Sequence, residues 1–196
     1  MLIDKIKDYK IILASQSPRR QQLLKELGFE FEISPVDVDE TYPKELKHFQ
    51  IALYLSELKA KSFDLDGLCE KCLIITADTI VWQDDQILAK PTDFEDARRI
   101  LTLLSGNSHE VITGVTLRTK EKVYSFYSLT KVYFKNLTQK EIDFYITNYK
   151  PYDKAGAYGI QEWIGYIGIE KIEGSYFNVV GLPVQKLYAE LLDFLQ

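Results

Sequence analysis

Over its first 78 residues the chain alternates short, β-branched apolar runs with longer stretches whose apolar residues recur every three or four positions. YKIILAS (9–15), FEFEIS (29–34) and CLIITAD (72–78) have the length and composition of strands. Between the first two, Ser17 is a good N-cap and Pro18 suits a first helical position. QQLLKEL then carries the pattern to a stop at Gly28, which predicts a helix over 18–27. FQIALYLSELKAKSF (49–63) predicts a second helix. Strands separated by helices need crossover connections, and these lay the helices on a sheet that is at least partly parallel. The expected class is α/β: a mixed, partly parallel central sheet with flanking helices.

The remainder adds antiparallel elements. TIVWQDDQILAK (79–90) reads as a hairpin turning at Asp84 and Asp85. DFEDARRILTLLSG (93–106) reads as a helix capped by Asp93 and stopped at Gly106. HEVITGVTLRTK and KVYSFYSLTKVYFKN alternate like adjacent antiparallel strands, and Leu137–Asn148 is a helix opened by the capping box of Thr138 and Glu141. PYDKAGAYGIQEWIGYIG (151–168), rich in glycine and aromatics, reads as an irregular loop. A strand near 167–172, a turn at EGSYFNVVG and a helix from Pro183 onward complete the reading.

At 196 residues the expected organisation is one domain, 1–196, with two tightly joined lobes as the other arrangement. A net charge of -5 offers no general attraction for nucleic acid or an anionic membrane, so any anion site is a local patch. No apolar run reaches the roughly 20 residues that span a bilayer, and MLIDKIKDYK lacks the pattern of a signal peptide. A cytoplasmic location is the expectation. Cys69 and Cys72 form a CEKC pair with no second pair to complete a zinc site, so two reduced thiols ahead of a strand are expected there.

Polar residues where apolar strands give way are the candidate chemistry, because open α/β sheets bind ligands beyond the carboxyl ends of their strands. In LASQSPRR (13–20), Arg19 and Arg20 fall in the first turn of a helix, where cations are unfavourable and an anion is favoured. Two readings stand for this octet: a phosphate held by serine hydroxyls, free amides and both guanidinium groups, or solvated arginines anchored by nearby carboxylates. Asp78 and Thr79, read as the end of the CLIITADT run, place a carboxylate where a general base or a magnesium ligand would sit. Glu40 in DVDET, Lys59 and Lys61 on one helix, and Lys90 before Pro91 are each ordinary solvated side chains taken singly. Together they are the inventory of phosphoryl chemistry. The chain has no GxxxxGK[ST] loop, and neither His48 nor His109 sits in a suggestive context.

LASQSPRRQQLLKELG, DVDET, LKAKS, ADTIV, LAKPTDFEDARRILTLLSGNSHEVITGV, DKAGAYGIQ, EGSY and VVGLP, in this order, resemble the motifs of the Maf-like nucleoside triphosphate pyrophosphatases over nearly the whole chain. The resemblance implies a fold related to that of the inosine triphosphate pyrophosphatases, with two lobes around a cleft. It implies hydrolysis of a nucleoside triphosphate between the α- and β-phosphates, with a divalent cation, Mg²⁺ or Mn²⁺. Ser15, Arg19, Arg20, Lys59 and Lys90 are then the phosphate-binding residues, Asp78 the general base, and Glu40 with Asp78 the metal ligands.

The same resemblance divides the family by base. Arg19, Thr79 and Gln161 match the branch that acts on dTTP and UTP; the branch acting on 7-methyl-GTP instead carries SPWR, SDQ and a glutamate in the third position. A glutamine amide both donates and accepts, which suits the O4 and N3–H edge of thymine or uracil. Modified pyrimidine nucleotides would use the same pocket. EWIGYIG after Gln161 departs from a common glycine-rich stretch, and Trp163 either narrows the base pocket or packs beneath it. A nucleotide-binding regulator of septum formation or cell division is the alternative, although a pure binder has no need of Asp78 beside a full set of cations. Expected partners are a nucleoside triphosphate, no nucleic acid and no membrane, with a homodimer allowed by the family.

Overall fold

The computed structural model describes every residue of the chain except 65, 66 and 68. In chain order the elements are α1 (Leu2–Ile6), β1 (Lys10–Leu13), α2 (Pro18–Glu26), β2 (Phe31–Ile33), α3 (Phe49–Lys61), β3 (Cys72–Gln83), β4 (Gln86–Ile87) and α4 (Phe94–Leu104). β5 (Ser108–Arg118), β6 (Val123–Phe134), α5 (Gln139–Tyr149), α6 (Trp163–Gly168), β7 (Ile169–Glu173), α7 (Tyr176–Val180) and α8 (Val184–Phe194) follow. Seven strands among the described residues make one sheet in the order β2-β1-β3-β5-β6-β7, with β4 paired to β3.

The expected mixed class is present. β1 lies parallel to both β2 and β3, pairing Ile11 with Phe31 and with Leu73, while β3–β4 and β6–β7 are antiparallel. The β3–β4 hairpin turns at Asp84 and Asp85, both at positive φ (49° and 59°), as a tight two-residue turn requires. Ser17 accepts the Arg20 N–H at the start of α2, Asp93 accepts the Asp96 N–H at the start of α4, and Thr138 with Glu141 forms the capping box of α5.

The expected two lobes correspond to two compact units. One comprises 1–78, 113–128 and 181–196, the other 79–112 and 129–180, and β3, β5 and β6 each run from one into the other. Each has a core of its own. In the first, Leu13, Leu24, Leu73, Ile75, Leu187 and Leu191 are fully buried; in the second, Leu101, Leu104, Val132, Tyr145, Ile146 and Ile164 are. Of the aromatic residues of β6, Phe126 belongs to the first core and Phe134 to the second, whereas Tyr124 is exposed.

Several elements differ from expectation. β3 does not end at Asp78: TIVWQ continues the β-branched and aromatic run, so one twelve-residue strand replaces a strand followed by a separate hairpin, and Asp78 lies in its interior. Part of the expected loop 151–168 is the helix α6, and part of the expected turn at 173–181 is the helix α7. Cys69 and Cys72 are joined by a disulfide rather than standing as reduced thiols. A turn in which the Cys72 N–H donates to the Cys69 carbonyl brings their Cα atoms to 5.2 Å, within bridging range. Among the described residues no helix is long and apolar enough to cross a membrane.

His109 is structural. Its ring is buried against Phe134 and Tyr158, with Nε2 2.8 Å from the Tyr158 hydroxyl, and Nδ1 has no hydrogen-bond partner among the described residues. Burial pushes its pKa down to about 3. An unfolded histidine titrates near 6.5, so the stability contributed by the neutral ring is fully present above that pH and is lost as the pH falls towards 3. The slope expected is up to about 1.4 kcal/mol per pH unit from this one group. Denaturant midpoints of the protein and of His109→Gln between pH 7 and 4 check this; equal pH slopes would contradict it.

Candidate active site

The first unit gathers most of the charged residues singled out in the sequence. β1 delivers Ser15, which is buried, to the turn before α2. Its hydroxyl accepts from the Ser17 N–H at 3.2 Å and from the Arg20 guanidinium at 3.4 Å, while Arg20 Nε donates to the Gly181 carbonyl at 2.8 Å. Arg20 is thereby fixed at two points rather than waving in solvent. Burial pushes its pKa down from the ordinary value, and Arg19 adds to that, whereas Asp78 and Glu40 oppose it. Arg19, Arg20, Asp78 and Glu40 therefore share one electrostatic neighbourhood.

α3 supplies the cation at its centre. Lys59 Nζ lies 2.5 Å from Asp78 Oδ1 and 2.7 Å from Glu40 Oε1, so one ammonium bridges two carboxylates. The side chains of Lys59 and Asp78 are each only 12% exposed, whereas that of Glu40 is 53% exposed. The bridge thus joins a sheltered carboxylate to a solvent-facing one.

A ladder of hydroxyls, buried at Thr76, Ser56 and Thr116 and half-buried at Ser125, aligns α3 on the sheet. Thr76 Oγ1 donates to the Ser56 carbonyl at 2.6 Å, and the Ser56 hydroxyl lies 2.9 Å from Thr116 Oγ1, which lies 3.0 Å from Ser125 Oγ. Two residues along a strand return to the same face, and three residues along a helix return to the same side. Asp78 lies two positions beyond Thr76 and Lys59 three beyond Ser56, so the Thr76–Ser56 bond sets the register that joins Asp78 to Lys59. These hydroxyls went unremarked in the sequence. The signal available was two Ser and two Thr within these elements, three of them, Ser56, Thr76 and Thr116, buried and so in need of partners.

The second unit holds Thr79, Lys90 and Gln161. Thr79 directly follows Asp78 in β3, Lys90 is exposed, and Gln161 is half-buried. The loop bearing Gln161 is anchored next to Lys90 through the Gly156 N–H, which donates to the Leu88 carbonyl at 2.9 Å. Gly156 has φ +70°, and a Cβ there would come 3.0 Å from Val81, so the loop lies flat on β3 in a shape only glycine adopts without strain. Lys154 pairs with Asp153 at 2.7 Å and also meets Glu162 at 3.1 Å.

Two carboxylates converging on one cation also match the way Mg²⁺ is usually held, through one or two carboxylates completed by substrate phosphates. Among the described residues no three His, Cys, Asp or Glu side chains gather into a cage, so phosphate oxygens and water would have to complete the shell. The residues present fit such an ion on those terms.

Comparison with known proteins identifies the family. The family model described as "Maf-like protein" matches residues 10–194. A protein of Flavobacterium johnsoniae named dTTP/UTP pyrophosphatase is 51% identical over 97% of this chain and 98% of its own length. Another of that name, from Phocaeicola vulgatus, is 52% identical over the same shares of both chains. Among solved structures, the Staphylococcus aureus Ham1 protein superposes with a TM-score of 0.52 at 16% identity, covering 94% of this chain and 99% of that one, a likeness of fold alone. With the match running almost from end to end and relatives about half identical, the chain belongs to the Maf-like family.

Proposed function

We propose that this protein is a nucleoside triphosphate pyrophosphatase that hydrolyses dTTP and UTP to the monophosphate and pyrophosphate. The observation that carries the reading is the bridge from Glu40 through Lys59 to Asp78 beside the anchored Arg20 and Ser15. It is supported by relatives about half identical that bear the name dTTP/UTP pyrophosphatase.

In this reading Ser15, Arg19 and Arg20 bind phosphate oxygens, and the free N–H groups at the start of α2 add their partial charge. Asp78 takes the proton from the attacking water as its oxygen bonds to phosphorus. The anhydride P–O bond breaks, and pyrophosphate leaves with the electron pair. Lys59, 2.5 Å from Asp78 Oδ1, holds that carboxylate in place, and with Lys90 it offsets charge that builds in the transition state. A divalent cation, Mg²⁺ or Mn²⁺, held by Glu40 and Asp78 would neutralise phosphate charge when bound. Arg19, Thr79 and Gln161 set the choice of base.

The test is steady-state pyrophosphate release with Mg²⁺ over dTTP, UTP, CTP, GTP, ATP and 7-methyl-GTP. Preference for dTTP and UTP is expected; preference for a purine nucleotide would overturn the base assignment. Gln161→Glu should lower kcat/KM on dTTP and UTP at least tenfold while thermal stability stays close to that of the parent, because a carboxylate cannot donate to O4. Equal loss on every nucleotide would make Gln161 structural.

A further inference from the structure

Gln161 is the third residue of a β-turn, Gly159–Ile160–Gln161–Glu162, closed by a 3.0 Å bond from the Glu162 N–H to the Gly159 carbonyl. Both ends of that turn are tied to one buried group. The Tyr145 hydroxyl, reaching from α5, accepts the Gly159 N–H at 3.0 Å and donates to the Glu162 carboxylate. Tyr145 is fully buried. The other oxygen of that carboxylate lies 3.1 Å from Lys154 Nζ, whose side chain is 9% exposed and also holds Asp153.

The Glu162 side chain is folded back over the turn, so that a Cβ on Gly159 would come 2.8 Å from its carboxyl carbon. Farther along, a Cβ on Gly165 would come 1.9 Å from the Ile160 carbonyl oxygen, so α6 is packed against the same turn. The Gln161 amide itself has no hydrogen-bond partner among the described residues. A two-carbon side chain with a free amide can be aimed only by its backbone, and here the backbone is clamped from both ends by residues that leave the amide available.

We propose that Tyr145 and Glu162 are positioning residues for base selection: they clamp the turn that presents the Gln161 amide, with Lys154 holding the Glu162 carboxylate. This rests on the reading that Gln161 faces the base. Neither residue need touch the nucleotide. Glu162 supplies the acceptor that Tyr145 and Lys154 share.

The variant to make is Tyr145→Phe, which deletes the one atom that touches both ends of the turn. Affinities for α,β-imido-UTP, α,β-imido-CTP and inorganic pyrophosphate are measured by calorimetry, with kcat and KM on UTP and CTP alongside. The UTP-to-CTP ratio is expected to fall about tenfold, as for loss of a well-made hydrogen bond, while pyrophosphate affinity stays within about twofold. Glu162→Gln keeps an acceptor for the hydroxyl and should retain most of the ratio, whereas Glu162→Ala should lose it; this pair decides the matter if Tyr145→Phe does not fold. An unchanged ratio in Tyr145→Phe and Glu162→Ala, or a ratio that falls only together with pyrophosphate affinity, would overturn the proposal. If the parent protein prefers another base, the reading of Gln161 fails, and the clamp stands or falls by whether Tyr145→Phe flattens that preference. A parent with no base preference overturns both.

Discussion

Asp78→Asn is expected to lower turnover of UTP and dTTP by roughly 10²- to 10⁴-fold, the range associated with loss of a general base. The amide has nearly the shape of the carboxylate, and its oxygen can still accept from Lys59 Nζ, which lies 2.5 Å away in the parent. It cannot take a proton from water. Lys59 also keeps its second partner, Glu40 at 2.7 Å, so the substitution does not strand a buried ammonium. Stability and affinity for the monophosphate product should therefore change little while turnover collapses. Rapid-quench turnover and calorimetric product binding on the same preparation separate the two effects. Near-parental turnover would remove Asp78 from the chemistry, and equal losses of turnover and product binding would make it a structural residue.

Gly114→Ala is expected to destabilise the protein by about 3 kcal/mol or more, at the upper end of what an inserted methyl costs in a close-packed interior. A Cβ at this position of β5 would sit 2.3 Å from the Ala52 carbonyl oxygen and 2.7 Å from the Leu53 nitrogen. These are backbone atoms of α3, so no side chain can swing aside and the helix itself must move. The consequence reaches the site, because α3 carries both Ser56 and Lys59. Displacing α3 strains the Thr76–Ser56 register and draws Lys59 away from Asp78. Urea unfolding should show the lost stability, and turnover under fully folded conditions should fall as well. A loss below about 1 kcal/mol would mean that β5 and α3 are not in close backbone contact.

Much of this was legible beforehand, for identifiable reasons. The parallel β2-β1-β3 portion follows from apolar runs separated by a capped helix, and the Ser17, Asp93 and Thr138 caps lie where their side-chain chemistry places them. Two arginines in the first turn of α2 stand out because the helix end disfavours cations; the octet alone leaves a phosphate and nearby carboxylates as their two readings, and the motif resemblance implies the first. Asp78 reads from the sequence as the end of a strand, whereas it is interior to β3, and what makes it distinctive is the lysine that α3 brings to it.

The illegible part is what depends on tertiary register. Nothing local in the sequence says that Thr76 will meet the carbonyl of Ser56, or that the hydroxyl of Tyr145 will reach both ends of a turn fourteen to seventeen residues away. The helices α6 and α7 were missed because they are five or six residues long and held by their surroundings, Gly165 against Ile160 among them, rather than by propensity. The Cys69–Cys72 bridge depends on a backbone turn that the spacing alone does not dictate.

The central claim is that the site around Asp78 opens the anhydride between the α- and β-phosphates of a pyrimidine triphosphate. The most direct measurement is product identity from UTP and dTTP with Mg²⁺, by ion-exchange chromatography over a single complete turnover. The account predicts one UMP or dTMP and one pyrophosphate for each nucleotide consumed, with no diphosphate formed. Appearance of UDP or dTDP with orthophosphate would mean that the β–γ bond is the one cleaved, and would contradict it.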